Sequence, residues 1–550
     1  MNRFAALIDR IASQPRRNAK LTLIADHLRS TPDPDRGLAL AAMTGALTFP
    51  HAKPGLVRAL ISERTDPVLF ALSYDFVGDL SETVALMWPA PAAGEAGRSG
   101  PGLAEVVAVL SRAQRAELPQ IIAGWLDALD EAGRWALLKL ITGGLRIGVS
   151  ARLAKTALAQ LGGRDPDEIE ELWHGLSPPY TELFAWIEGR GPKPSASDPA
   201  PFRPPMLSHP IEDDDFHALD PAAFVAEWKW DGIRVQAAAG TGPDGRRIAR
   251  LYSRSGDDIS TAFPDLADAL DVDATLDGEL LIVREGRVES FNVLQQRLNR
   301  RSVPAKLIAA YPAHLRAYDL LAEGGEDLRG LPFIARRQRL EALVRRLAHP
   351  RIDLSPTIDF SDWPALAAAR ADPATAGAGP DAEAIEGCML KRADSPYLPG
   401  RPKGLWFKWK REPRLVDAVL MYAQRGHGKR SSFYSDYTFG VWRAGTTGDE
   451  LVPVGKAYFG FTDEELVEID RFVRRRTINR FGPVREVVHT PDEGLVFEVA
   501  FEGLQSSTRH KSGLAMRFPR ISRLRRDKRP ADADRLETLE RLIDGFRTTA

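Results

Sequence analysis

One stretch divides the chain. Between residues 189 and 201, Pro192, Pro194, Pro199 and Pro201 alternate with Gly189, Gly191, Ser195 and Ser197, so neither a helix nor a central strand can continue through it. Different periodicities lie on its two sides. Before it, windows such as 103–110 and 121–129 carry apolar residues at i, i+3, i+4 and i+7, the spacing of amphipathic helices, and strand-type alternation is scarce. After it, short strand-like runs alternate with helix-like ones as far as about residue 411, an α+β pattern. Beyond that, runs such as 417–423, 437–442 and 495–501 read as strands, with a helix over 463–475 and a final helix over 534–546. The expectation is a multidomain protein: all-α over 1–200, α+β over 201–411, and a small Greek-key β-barrel of the OB type over 412–550.

Composition sets limits on chemistry and compartment. A single cysteine, Cys388, excludes an internal disulfide and any multi-cysteine zinc site. No apolar run is long enough to cross a bilayer, and the first ten residues lack a secretory h-region, so a cytoplasmic protein without membrane contact is expected. The formal net charge of -1 gives no bulk attraction to nucleic acid, so a polyanion must bind at a local patch.

Lys229 stands between Trp228 and Trp230 and is followed by Asp231, Gly232 and Arg234. A free lysine has a pKa of ~10.4, which leaves only about 1 in 2,500 amines neutral at pH 7. A nucleophilic lysine therefore needs help, here expected from desolvation by the two tryptophans and from repulsion by Arg234 and other cations. The alternative is a strand end with solvated charges.

Six other stretches stand out. Arg146, in Gly144-Leu145-Arg146-Ile147-Gly148, sits among glycines that would admit a phosphodiester backbone, or that merely end a helix. Asp277-Gly278-Glu279 interrupts an apolar strand and is either a ligand site or a solvated turn. In Trp406-Phe407-Lys408-Trp409-Lys410 a period of two directs both lysines to one face, where they repel unless an anion lies between them. By the same alternation Glu386 and Lys391, five apart, fall on opposite faces of their strand. Residues 509–529 hold nine Lys or Arg against one acid, Asp527, the strongest local charge noted; a second basic loop, 424–430, includes Lys429 and Arg430.

Taken in order, Lys229-x-Asp231-Gly232-x-Arg234, Ser253-Arg254-Ser255-Gly256, Asp277-Gly278-Glu279, Tyr318, Glu386-Gly387-Cys388-Met389-Leu390-Lys391, Lys408-x-Lys410 and Arg517-Phe518-Pro519-Arg520 with Arg526-Asp527-Lys528 resemble the motifs of the covalent nucleotidyltransferases. Within that superfamily the chain is most similar to three-domain, bacterial-type ATP-dependent DNA ligases, whose helical DNA-binding domain carries a Gly-x-Leu-Arg-Ile-Gly signature like the one around Arg146.

The resemblance implies a helical DNA-binding domain, an ATP-grasp-like nucleotidyltransferase domain and an OB-fold domain. It also implies an enzyme that seals nicks in duplex DNA through a lysyl-AMP intermediate, in repair, replication or recombination. Lys229 would be the catalytic nucleophile. Glu227, Arg234, Arg254, Glu279, Tyr318, Arg401, Lys408, Lys410, Arg520, Arg526 and Lys528 would bind ATP. Glu279 and Glu386 would hold Mg2+, with Mn2+ as an alternative, and Arg146, Lys429 and Arg430 would contact DNA. Pro402 departs from the family pattern six positions before Lys408 and leaves Arg401 as the candidate for that phosphate.

A junction near 410–414 would let the C-terminal domain swing its cations over the triphosphate, and a monomer acting on nicked duplex is implied. An RNA ligase or capping enzyme is the runner-up, and a non-catalytic DNA-binding scaffold is the alternative of another class.

Overall fold

The computed structural model describes the chain except for residues 78, 90–99, 195–197, 299, 301, 426–433, 446–447, 482–483, 508–509 and 545–550, so Lys429 and Arg430 lie outside the described residues. From Asn2–Ser13 to Thr181–Ile187 the ordered elements are all helices, packed around one core that includes Ile8, Leu137, Leu158 and Phe184. The windows at 103–110 and 121–129 fall on the helices Leu103–Arg112 and Leu118–Ala128.

Caps explain the break around Arg146. The helix Glu131–Thr142 stops where Gly143 turns left-handed, and the next helix starts at Ser150, whose hydroxyl accepts from the Leu153 amide. Lys20, itself buried, donates to the carbonyls of Ile147 (2.8 Å) and Gly148 (3.1 Å) and pins the connecting loop. Arg146 is left on the outside, exposed and at φ 49.

The middle of the chain forms two sheets. One runs in the order Arg247–Ser253, Ile233–Thr241, Ala274–Arg284, Ala313–Glu323, Glu326–Asp327, with Ile352–Leu354 added parallel to Ala313–Glu323. The other runs His209–Pro210, Trp406–Lys410, Ile385–Arg392, Phe224–Trp230, Thr357–Ile358. Asp277 and Glu279 sit within the continuous strand Ala274–Arg284, not in a solvated turn. The Pro-rich stretch ends against the first sheet, where the Tyr252 hydroxyl donates to the Ala200 carbonyl at 2.7 Å.

Beyond Arg411 the structure is β-rich. A sheet in the order Asp449–Ala457, Tyr434–Ala444, Arg414–Arg425, Val484–Val487, Thr477–Phe481 also pairs Val496–Phe501 with Arg414–Arg425, and Arg520–Leu524 with Val496–Phe501. No pairing among the described residues closes these strands into a ring. Asp463–Arg475 is a helix whose start is fixed by a reciprocal Thr462–Glu465 capping box. The last helix, Leu536–Asp544, sends Leu536 and Leu539 into the core of this region.

The helix Phe333–Leu347 is tied to its sheet by a fully buried ion pair. Arg336 donates from Nε and Nη2 to the two oxygens of Asp319, both at 2.8 Å, and from Nη1 to the Ser395 carbonyl at 3.0 Å. Removing one partner leaves an uncompensated charge in the interior, which costs about 3–5 kcal/mol. Asp319→Ala is therefore expected to lower the unfolding free energy of this part of the chain by that amount, read as a fall in its urea midpoint; an unchanged unfolding curve would show that the pair is not what anchors the helix.

Candidate active site

The two middle sheets and the C-terminal strands enclose a cavity of about 1250 Å³, with Lys229 in its wall. On the strand Phe224–Trp230 alternation places Glu227 and Lys229 toward the cavity and buries Trp228 and Trp230 in the core on the other face, with Phe224, Ile385 and Cys388. The tryptophan rings therefore do not sandwich the amine, contrary to the expectation from adjacency. The Trp230 indole instead donates to the Ser355 hydroxyl at 3.1 Å and fastens the strand from behind.

The surroundings of Lys229 are acidic. Its Nζ donates to Glu386 Oε2 at 2.5 Å. Burial pushes the ammonium pKa down, but Glu386, Glu279 and Asp231 outweigh it and leave a net rise, so the resting amine is held protonated. Arg234 does not oppose it: its guanidinium is spent on Asp277 (3.0 and 2.6 Å), the Met206 carbonyl (2.7 Å) and the Tyr397 hydroxyl (3.1 Å).

Glu386 reaches the cavity because the strand Ile385–Arg392 is irregular there. A register shift between Ile385 and Gly387, opposite Lys229, turns Glu386 out of strict alternation. Glu386 and Lys391 thus both line the cavity, where simple parity had put them on opposite faces. They still do not pair with each other: Lys391 meets Glu227 at 2.5 Å. Burial pushes the Glu279 carboxyl up to about 8, although Lys229 and Arg234 pull it down. Gly232 is required beside it, since a Cβ there would stand 2.8 Å from Glu279 Cγ and 2.6 Å from the Leu280 carbonyl oxygen.

At one end of the cavity lies an aromatic cage. Lys391 Nζ sits 4.2 Å from the Tyr318 ring centroid and 4.7 Å from that of Trp406, and is almost fully buried with Glu227 as its ionic partner. Glu227, buried beside it, accepts from Arg337 Nη1 at 2.6 Å, and Arg337 also donates to the Ser355 carbonyl at 2.6 Å. At the other end cations converge. Arg254, Arg401, Lys408, Lys410 and Arg520 all line the cavity. Burial lowers the Lys408 pKa first, and Lys410, Arg401, Lys229 and Arg254 lower it further. Lys410 is shared between Glu502 at 2.8 Å and Glu386 at 3.8 Å.

Two of the C-terminal cations expected at the phosphates lie elsewhere. Arg526 and Lys528 follow the end of the strand Arg520–Leu524 and are captured locally, Arg526 by Glu468 and Lys528 by Asp417, both at 2.5 Å; neither lines the cavity. The residue that does cross is Arg517, which donates to both oxygens of Asp231 at 2.6 and 3.1 Å and lies 4.9 Å from the Phe291 ring centroid. Sequence reasoning named Arg520 from the same Arg-Phe-Pro-Arg motif and passed over Arg517. Lys391 closed a motif already recognised, whereas Arg337 carried no motif signal.

Glu279 and Glu386 both face Lys229, and among the described residues no three His, Cys, Asp or Glu side chains are arranged to hold a metal by themselves. Arg146 lies apart from the cavity, although Ser150 and Arg152 from the same helical region line it.

Residues 205–410 match the family described as ATP dependent DNA ligase domain, and residues 430–528 its C-terminal region. A probable DNA ligase of Koribacter versatilis is 30% identical over 98% of this chain and 96% of its own length. DNA ligase 1 of Korarchaeum cryptofilum is 30% identical over 99% of this chain and 98% of its own. In fold alone, a solved structure described as Pmar-Lig_Pre. is similar at a TM-score of 0.52, with 14% identity over 95% of this chain and 99% of that one. With its nucleophile-bearing strand, acidic cluster and cation-lined cavity, the chain belongs to the ATP-dependent DNA ligases.

Proposed function

We propose that the protein seals nicks in duplex DNA, with Lys229 as the residue that carries AMP. The observation behind this reading is the position of Lys229, between a buried aromatic cage and a wall of five cations, with a carboxylate on its amine. In the first step the Lys229 ammonium loses a proton, for which Glu386 is the acceptor in reach. The amine then attacks the α-phosphorus of ATP, a P–N bond forms, and the P–O bond to pyrophosphate breaks. Next an oxygen of the DNA 5′-phosphate attacks the AMP phosphorus and frees Lys229. Finally the 3′-hydroxyl attacks the 5′-phosphorus and AMP leaves.

The adenine would stack on Tyr318 with its edge toward Glu227 and Lys391, and Glu279 would take the ribose. Arg254, Arg401, Lys408, Lys410 and Arg520 would hold phosphates. Arg234, bound to Asp277, would shape the floor of the pocket and reach ATP only indirectly. Arg526 and Lys528 would approach the triphosphate only after the C-terminal region moves about the 410–414 junction. Mg2+ commonly binds through one or two carboxylates plus substrate phosphates, so Glu279 and Glu386 fit it without a preformed cage. Such an ion would neutralise charge on the phosphates and the leaving group.

The division into 1–200, 201–411 and 412–550, with an OB barrel last, fits this scheme. So does DNA contact by the exposed Arg146 and by Lys429 and Arg430. A monomeric enzyme working in the cytoplasm on repair or replication nicks completes the reading.

Purified protein given ATP, Mg2+ and a nicked duplex should yield sealed strand. Lys229→Ala and Lys229→Arg should both abolish sealing with the fold retained, because alanine carries no amine and a guanidinium stays protonated. Sealing at the wild-type rate by either variant would remove Lys229 from the mechanism.

The Asp231–Arg517 bridge joins the lysine strand to the C-terminal strands and invites a double-mutant cycle. Asp231→Asn and Arg517→Ala should each slow sealing, and the double variant should be less impaired than the two losses combined, with a coupling of about 0.5–3 kcal/mol. Strict additivity would mean that the two residues act separately.

A further inference from the structure

Another cationic surface lies away from the cavity. From Arg471 to Arg485 the sequence holds six arginines and no acid, across the end of the helix Asp463–Arg475 and the hairpin Thr477–Phe481/Val484–Val487. Carboxylates capture Arg474, through Asp470 at 2.6 Å, and Arg476, through Glu493 at 2.8 Å. Arg471, Arg475 and Arg480 are exposed and make no ion pair among the described residues. Arg480 also stands directly across the hairpin from Arg485.

The strand Thr477–Phe481 is the outermost of its sheet, and Ile478 and Phe481 on it are more than half exposed (55% and 58%). Its partner Val484–Val487 pairs with the strand Arg414–Arg425 only at Tyr422, Ala423 and Gln424. The cavity side of that long strand is its start, where Arg414–Val419 pairs with Val496–Phe501 and, through it, with the strand of Arg520. At about 3.4 Å per residue the patch therefore sits roughly 30 Å further along.

We propose that Arg471, Arg475 and Arg480 form a further DNA contact, gripping the phosphate backbone of the duplex arm roughly nine base pairs from the nick. Exposed unpaired guanidiniums suit a repeating polyanion. The proposal rests on the nicked-duplex reading above, and the experiment separates the two. Binding of the wild type and of a triple Arg471→Gln, Arg475→Gln, Arg480→Gln variant is measured on nicked duplexes with arms of about 20 and about 6 base pairs over a salt series.

On the long-armed duplex the variant should bind about tenfold more weakly near 0.15 M salt, with a log–log salt slope shallower by roughly 2–3, since each phosphate contact adds about 0.9. The short-armed duplex should not distinguish the proteins, and self-adenylation by ATP should match the wild type. Equal affinity and slope on the long arms, or equal losses on both duplexes, would overturn the surface. A wild type that binds neither duplex would overturn the nicked-duplex reading, and the surface with it.

Discussion

The site depends on one ion pair, Lys229 to Glu386, set among more carboxylate than the lysine can neutralise. Asp231 and Glu279 share the same space, and burial raises both of their pKa values despite the nearby cations. The acids that keep Lys229 from being a nucleophile at rest also mark where a cation would be welcome. Neutralising them would weaken their hold on the ammonium and favour its loss of a proton. The depressed pKa expected of a reactive lysine is thus a property of the loaded site. The resting geometry stores the amine in its charged form.

Around that pair the cavity separates its tasks. The aromatic end is uncharged overall except for Lys391, whose charge is balanced by Glu227, and Arg337 braces Glu227 from behind. The opposite end gathers cations that have few acids of their own, a costly arrangement in the empty protein that a triphosphate would relieve. Among the described residues, one direct guanidinium–carboxylate bridge from the C-terminal strands reaches the turn that follows the lysine strand, Arg517 to Asp231. The position of those strands is in this way coupled to the acidic cluster and not only to the phosphates.

Much of this was legible in residue order. Helical periodicity ahead of the Pro-rich stretch and the shared face of Lys408 and Lys410 both follow from local periodicity, which is set by backbone geometry. What failed has an equally local cause. Adjacency put Trp228 and Trp230 beside Lys229, whereas in a strand adjacent side chains point to opposite faces. Parity put Glu386 away from Lys391, whereas a register shift re-aims it. Arg526 and Lys528 were read as phosphate ligands, but their partners Glu468 and Asp417 are distant in sequence, and nothing local announces such pairs. Arg337 is invisible for the same reason: its importance lies in Glu227, 110 positions earlier.

The most direct test is to locate the covalent AMP. The protein is incubated with ATP and Mg2+ without DNA, digested, and its peptides are sequenced by mass spectrometry. A single AMP on Lys229, discharged when nicked duplex is added, is the expected result. AMP on any other side chain, or a fully active protein that never carries it, would contradict the account.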